Sequence, residues 1–486
     1  MSRLYTLIKK IGTYIGKWSE EQKLFAWSLL FASVLFIVPN NKVFLLVSFL
    51  FITGLYFIWN NFTLAILYAY IYLLPFQNGK GANFLVVPGE FVNGKIPFIM
   101  TVNFTMSNAL SVILLYLYIR NRIVFKKEQQ SPHIEVSDIL LSFFVITNII
   151  ASIISNIPWL SFLLTIQICG YIFVFYFIQH QHLKQWITKI IIPLTASLCI
   201  LEGLWSGLQY INKGTLGYLN PTPSDNLIHV ASEDTSFFRM QGTFSHPNFL
   251  GFFMAFIVPM LLYYSISRHT SYFSKIISAI GSIAGVVALI LSGSRASWVF
   301  FALSIVIILR TSIIRASFKI IPIVKRLYLM CVICFAITIP IFIIPRIFQL
   351  AITFNPGGGA QFRWGLIKTS LMITFQHPLG IGLGIFPQIL LEEIGGFTSS
   401  PTQPHNLIAQ MLVASGFIGM ISFFGFLYLK IKIRLQKTTK ESEYSKIIRT
   451  ISMISLGVFL SLSMLYPVLT EQQIFGWLWI LMSIVV

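Results

Sequence analysis

The sequence predicts an all-α integral membrane protein of about 12–14 transmembrane helices, and three observations carry that prediction. Of 486 residues, 56% are hydrophobic and only 10% charged, more apolar surface than a water-soluble core of this length hides. Runs of about 20 mostly apolar residues, the length that crosses a bilayer, recur between short polar connections, and mean hydropathy is +0.80. The 34 Lys and Arg, against 15 Asp and Glu, are sorted between alternate connections.

Residues 1–23 set Arg3, Lys9, Lys10, Lys17 and Lys23 among Leu, Ile, Tyr and Trp at helical spacing, the pattern of an interfacial amphipathic segment. The first apolar run, 24–38, ends in Pro39-Asn40-Asn41 without a small-residue cleavage site, so a retained segment is expected in preference to a cleaved signal peptide. Residues 24–238 form an N-terminal transmembrane bundle, with spans at 24–38, 43–59, 62–74, 104–119, 139–155, 158–178 and 190–211. Residues 239–429 add spans at 249–264, 276–291, 296–309, 327–344 and 407–429, with a long loop, 346–406, before the twelfth. Residues 430–486 supply a basic loop and spans at 451–466 and 474–486. Cys169, Cys199, Cys331 and Cys334 all fall in apolar runs and read as packed free thiols.

The basic residues orient the chain, because Lys and Arg resist translocation. With a cytoplasmic N-terminus the inner connections hold 25 of the 34, concentrated at 120–127, 310–326 and 430–449; nine are outer, namely Lys42, Lys80, Lys95, Lys213, Arg239, Arg295, Arg346, Arg363 and Lys368. The net charge of +19 then follows from orientation, with no nucleic-acid partner. Three polar outer segments share one face of the membrane: 212–246, the turn Ser292-Gly293-Ser294-Arg295, and 346–406. The last, about 60 residues, far exceeds an ordinary connection.

Within it, Asn355-Pro356-Gly357-Gly358-Gly359 breaks the chain, and residues 361–376 predict an interfacial helix with Phe362, Trp364, Leu366, Ile367, Leu371 and Phe375 to bury. The glycines of His377-Pro378-Leu379-Gly380-Ile381-Gly382-Leu383-Gly384 have no strand before them and no phosphate-loop helix after them, so a close-packed turn is expected. Arg363 reads either as a headgroup anchor or as an anion ligand. Arg295, between spans joined by almost no loop, carries a charge that costs about 2.5–3.5 kcal/mol at the bilayer centre, and less near its edge, unless it is paired or faces a polar cavity. His405, after Pro404 and before Asn406, is a solvated loop histidine if taken alone. An ordinary pKa near 6.5 suits it to take a proton from a hydroxyl, and fixed cations on the same face make it a candidate base. Glu202, at membrane depth, reads as a neutral acid hydrogen-bonded in the bundle in preference to a contact on a substrate path.

His405-Asn406, nine residues, then Gly416-Phe417-Ile418-Gly419 resembles the His-Asn, nine residues, Gly-x-x-Gly pattern of the O-antigen ligase and O-antigen polymerase superfamily. Phe362-Arg363-Trp364 followed by His377-Pro378-Leu379-Gly380-Ile381-Gly382 is similar to the family's Arg-containing helix and Pro-x-Gly-x-Gly turn. Ser294-Arg295 matches the Ser-Arg at the start of a central span. Arg239, in Arg239-Met240-Gln241-Gly242-Thr243-Phe244-Ser245-His246-Pro247-Asn248, resembles the segment that opens the family's shared C-terminal region.

The resemblance runs from about Arg239 to Gly419. It implies a GT-C-like membrane glycosyltransferase in the bacterial cytoplasmic membrane, with an extracytoplasmic active site. His405, Arg363 and Arg295 would be catalytic, and Arg239, Asn406 and Trp364 would bind substrate. The family's proposed mechanism needs no metal or cofactor, which leaves Asp225, Glu233, Asp234, Glu392 and Glu393 as solvated or acceptor-contacting groups. The expected function is polymerisation of saccharide units on undecaprenyl diphosphate into capsule, exopolysaccharide or a teichuronic-acid-like chain for the cell surface. The partners would be that donor, a saccharide acceptor, the lipid bilayer, a chain-length regulator and a flippase. Alternatives are a ligase moving O-antigen onto lipid A core and a transporter of lipid-linked sugar. Transporters gather ionisable groups near the midplane, often in repeated halves, whereas here the polar groups collect at one surface.

Overall fold

The computed structural model describes residues 17–35, 41–76, 83–87, 102–125, 135–180, 183–214, 216, 229–230, 237–267, 270–310, 359–394, 403–436 and 443–485. Most of the N-terminal segment, the span at 327–344 with Cys331 and Cys334, residues 346–358, and Asp225, Glu233 and Asp234 lie outside them, as do the side chains of Phe362, Glu392 and Glu393.

The helices are α1 (Glu20–Leu35), α2 (Asn41–Trp59), α3 (Phe62–Leu73), α4 (Met106–Phe125), α5 (Val136–Ile154), α6 (Pro158–His180), α7 (Lys184–Asn212), α8 (Pro247–Ile266), α9 (Tyr272–Leu291), α10 (Arg295–Arg310), α11 (Gly359–Gln376), α12 (Phe386–Ile394), α13 (Leu407–Gln436), α14 (Glu443–Ser463) and α15 (Gln472–Val485). Each expected span that falls on described residues meets one of them. Six are long and apolar enough to cross a membrane: α5, α6, most of α7, α8, α9 and α13. Shorter apolar stretches lie in α2, α3, α4, α10, α14 and α15. Pro158 and Pro247 open their helices, where a missing N–H costs nothing, and the Asn61 side chain accepts from Leu64 N at 3.1 Å to cap α3.

Two short ladders depart from the all-helical expectation. β1 (Asn83–Val87) pairs antiparallel with β2 (Val102–Thr105), and β3 (His229–Val230) with β4 (Phe237–Phe238). Phe104, expected to open a span, pairs with Leu85 instead; Val86, Val87, Val102 and Thr105 are β-branched and favour a strand there.

Helices apolar all round belong in the centre. The spanning stretch of α8 is entirely buried, enclosed by α7, α9, α10 and α14, while α15 packs on α6, α7 and α14 and α13 packs on α5 and α11. Small residues let α7 and α9 touch: a Cβ on Gly281 would sit 2.9 Å from Ala196 Cα, the close approach that membrane helices use in place of a hydrophobic driving force. Outward residues such as Phe57 (78% exposed) and Ile153 (67%) are apolar and suit lipid contact. Cys169 and Cys199 are free thiols.

At one end of the bundle the charges are paired. Lys430 Nζ lies 2.9 Å from Glu135 Oε2 and 3.0 Å from Asp138 Oδ1, and Tyr176 donates to Asp138 at 2.7 Å. The bond from Lys430 is the main force holding the Glu135 carboxyl below its ordinary pKa.

Candidate active site

The opposite end gathers the connections α7–α8, α9–α10, α11–α13 and α14–α15. Arg239 donates from Nε to Ser292 O at 2.9 Å and from Nη2 to Asn248 Oδ1, so its fork is tied to the end of α9 and the start of α8. The next residue continues the seam, Met240 N donating to Leu291 O at 2.9 Å. The turn behind it is clamped from α7. Buried Glu202 accepts from Thr243 N at 2.9 Å and from Thr243 Oγ1, and Gln209 bonds both N–H and C=O of Gly242. Glu202 is therefore a hydrogen-bonded acid inside the bundle, and its task is to hold the segment that carries Arg239 and His246.

His246 caps α8, its Nδ1 accepting from Asn248 N at 3.0 Å. Accepting there leaves Nδ1 unprotonated and the ring neutral. Burial first, then the fields of Arg239 and His405, push its pKa down to about 4. Ser245 donates to Glu471 at 3.3 Å, and burial raises that carboxyl to about 7.

The glycine turn and α13 explain each other. α13 is broken at Gly416 (φ 69°, ψ −172°), a conformation essentially restricted to glycine. The break leaves Val413 and Ala414 carbonyls without helical donors, and Ile381 N and Gly382 N supply them at 2.9 and 3.1 Å. Leu383 N donates to Ser161 Oγ at 2.9 Å. The backbones come so close that a Cβ on Gly416 would lie 2.1 Å from Pro378 O, and one on Gly380 2.5 Å from Ala414 O. This is the expected close-packed turn, its N–H groups engaged by protein and turned away from any phosphate.

Asn406 caps α13 by accepting from Ala409 N at 3.1 Å and donates to Met464 O at 3.1 Å. His405 is thereby anchored at the helix entrance. It is half-buried, and its Nδ1 is buried with no hydrogen-bond partner. Desolvation, then the field of Arg363, lowers its pKa to about 4. The mutual fields draw Arg363, His405, His246 and Arg239 into one cluster. Arg295 is exposed at the first residue of α10, beyond the Ser292 carbonyl that holds Arg239; Ser294 beside it is buried and bonded to the Tyr466 hydroxyl at 2.9 Å.

On α11, Leu366 and Ile373 are buried whereas Trp364 (69%), Leu371 (40%) and Phe375 (74%) are exposed. The helix turns its small and polar Ser370 and Thr374 inward together with those aliphatics, and the aromatic residues left outward suit burial in the membrane interface. His246, Glu471 and the clamp from Glu202 and Gln209 were not singled out as site residues from sequence; the string from Ser245 to Asn248 was the available signal for His246. Among the described residues no three His, Cys, Asp or Glu side chains converge. What converges is an imidazole with a lowered pKa and an unpartnered Nδ1 in the field of Arg363, an arrangement suited to accept a proton beside a bound anion.

Residues 280–424 match the family model of the O-antigen ligases. The match takes in Arg295, Trp364, Arg363, the glycine turn, His405, Asn406 and Gly416; Arg239 and His246 precede it. A search of the curated proteins found no match.

Proposed function

We propose that this multi-pass membrane protein, which carries an O-antigen ligase domain at residues 280–424, is a metal-independent glycosyltransferase that polymerises undecaprenyl-diphosphate-linked saccharide units on the outer face of the bacterial cytoplasmic membrane. Its catalytic region is residues 239–429, between the 24–238 bundle and the 430–486 C-terminal part. The observation that carries the proposal is His405, neutral, half-buried and with an unpartnered Nδ1, in the field of Arg363.

The acceptor hydroxyl attacks the anomeric carbon and passes its proton to His405, while the carbon–oxygen bond to the diphosphate breaks and the diphosphate leaves with the electron pair. Configuration inverts. Arg363 and Arg295 bear the growing negative charge, the guanidinium fork suiting phosphate oxygens, while Arg239, its fork tied to Ser292 and Asn248, adds its positive field. Arg295 adds an argument of its own: a cation at a helix N-terminus opposes the helix dipole, so an anion there relieves both. Trp364, exposed beside Arg363, offers a face to a sugar, and Asn406 fixes the backbone that carries His405. A bound diphosphate offsets the field of Arg363, the lesser of the two causes that lower the His405 pKa, while desolvation, the larger, remains.

The test is surface polymer from cells producing normally inserted His405→Ala. Loss of product supports the base, and full product refutes it. The family description favours a second reading, transfer of finished O-antigen to lipid A core by the same residues; a product attached to core oligosaccharide selects it. Movement of lipid-linked sugar across vesicles with no new glycosidic bond selects transport.

A further inference from the structure

Connections between helices usually run over the surface, yet the one between α14 and α15 is buried: Tyr466 is 4% exposed, Val468 0% and Leu469 5%. Its polar groups therefore need protein partners. Some are met inside the connection, where Val468 N donates to Tyr466 O at 3.0 Å and Glu471 N to Val468 O at 3.1 Å, folding it into compact turns. Others are met from outside, and the partners are chain neighbours of the candidate site residues.

Three site segments converge on it. Asn406, next to His405, donates from Nδ2 to Met464 O at 3.1 Å, and one turn further along α13 Gln410 Oε1 accepts from Leu469 N at 3.0 Å. Ser294, next to Arg295, shares a hydrogen bond of 2.9 Å with the Tyr466 hydroxyl. Ser245, next to His246, donates from N to Gln473 Oε1 and from Oγ to Glu471 Oε2, each at 3.3 Å. Gln473, in the first turn of α15 and fully buried, also donates from Nε2 to Thr243 O at 3.3 Å and to Pro75 O. By accepting from residue 245 and donating to residue 243, one side-chain amide does for this segment what a neighbouring strand would do.

His246, Arg295 and His405 stand at three different helix entrances, so their separations depend on whatever those entrances share. Catalysis between groups on separate elements depends on such fixed geometry. We propose that residues 464–473 are the positioning element of the site, Tyr466 setting Arg295 through Ser294 and Gln473 setting His246 through Ser245. Neither residue is assigned a contact with substrate; each acts through its partner. The inference rests on the glycosyl-transfer reading and extends the machinery into the 430–486 part, beyond the residues 280–424 that match the family model.

The test uses the full chain, in membranes for product formation and in lipid nanodiscs for exchange. Tyr466→Phe keeps the ring, whose centroid lies 6.0 Å from that of Phe252, and loses only the hydroxyl. Product per inserted protein falls about tenfold, less than the ~10²-fold that a 1 Å misplacement can cost, while the melting temperature moves by no more than about 2 °C. In an Arg295→Ala background the same change has no further effect, because the group it positions is gone; a bond that only stabilised the fold would act equally in both backgrounds. Gln473→Leu is read without any reaction: hydrogen exchange at the Ser245 amide quickens about tenfold as its acceptor is lost. Unchanged product from Tyr466→Phe, an equal loss in both backgrounds, or unchanged exchange at Ser245 overturns the positioning role. Full product from His405→Ala refutes the transfer reading instead, and the two failures are told apart because exchange at Ser245 needs no reaction.

Discussion

The two ends of the bundle treat charge in opposite ways. Around Lys430, cation and carboxylates meet at 2.9 and 3.0 Å with a tyrosine hydroxyl added. Around His405, guanidinium groups meet carbonyls and amides, and a histidine nitrogen and a glutamine amide stay buried without partners. Among the described residues the ion pairs are both those of Lys430. A polar group left unmet costs stability, so the first end is organised to hold the fold together and the second to receive something that completes it.

The comparison breaks most sharply at Arg363. Arg363→Ala is expected to lower product formation about 10³-fold, the scale of losing a preorganised charge contact, and Arg363→Lys to restore little of it because the fork is gone; assays on membranes with matched protein levels measure both. Lys430→Ala, at the other end, leaves two partly exposed carboxylates facing each other and should cost about 1 kcal/mol of stability while the surviving protein keeps its rate of product formation. Gly416→Ala sits between the two kinds of change: strain and the clash with Pro378 O should cost about 1–3 kcal/mol, read as a lower melting temperature, and displace His405 as well.

The smallest effect is in pH. A folded-state pKa near 4, below the ordinary 6.5, keeps His405 neutral through mildly acid conditions, so product formation should change less than about threefold from pH 8 to 5.5. The same sign gives a stability contribution that is present above about pH 6.5 and is lost as pH falls through 4. Arg363, Arg239 and His246 act with it, and Glu471, raised to about 7, titrates nearby. Glu471→Gln separates its share; a midpoint at 6.5 in that variant would mean a solvated imidazole.

Apolar runs made the helices legible, since lipid imposes one length and one composition on whatever crosses it. His405, Arg363 and the glycine turn were legible because their spacing is local. Glu202 holding Thr243, or Ser245 meeting Glu471, joins positions 41 and 226 residues apart, and no local pattern encodes such pairs. The inward face of α11 was less legible: Ser370 and Thr374 pack into the bundle, a contact that amphipathicity does not encode.

Gly416 also sets a phase. Ten helical steps run from Asn406 to the break, and each step turns the chain about 100° and lifts it about 1.5 Å. With the break locked onto residues 378–382 by backbone contacts, deleting one residue between Asn406 and the break would swing His405 about 100° around the helix axis, away from Arg363. The interval therefore works as a ruler whose intermediate side chains can vary while its count cannot.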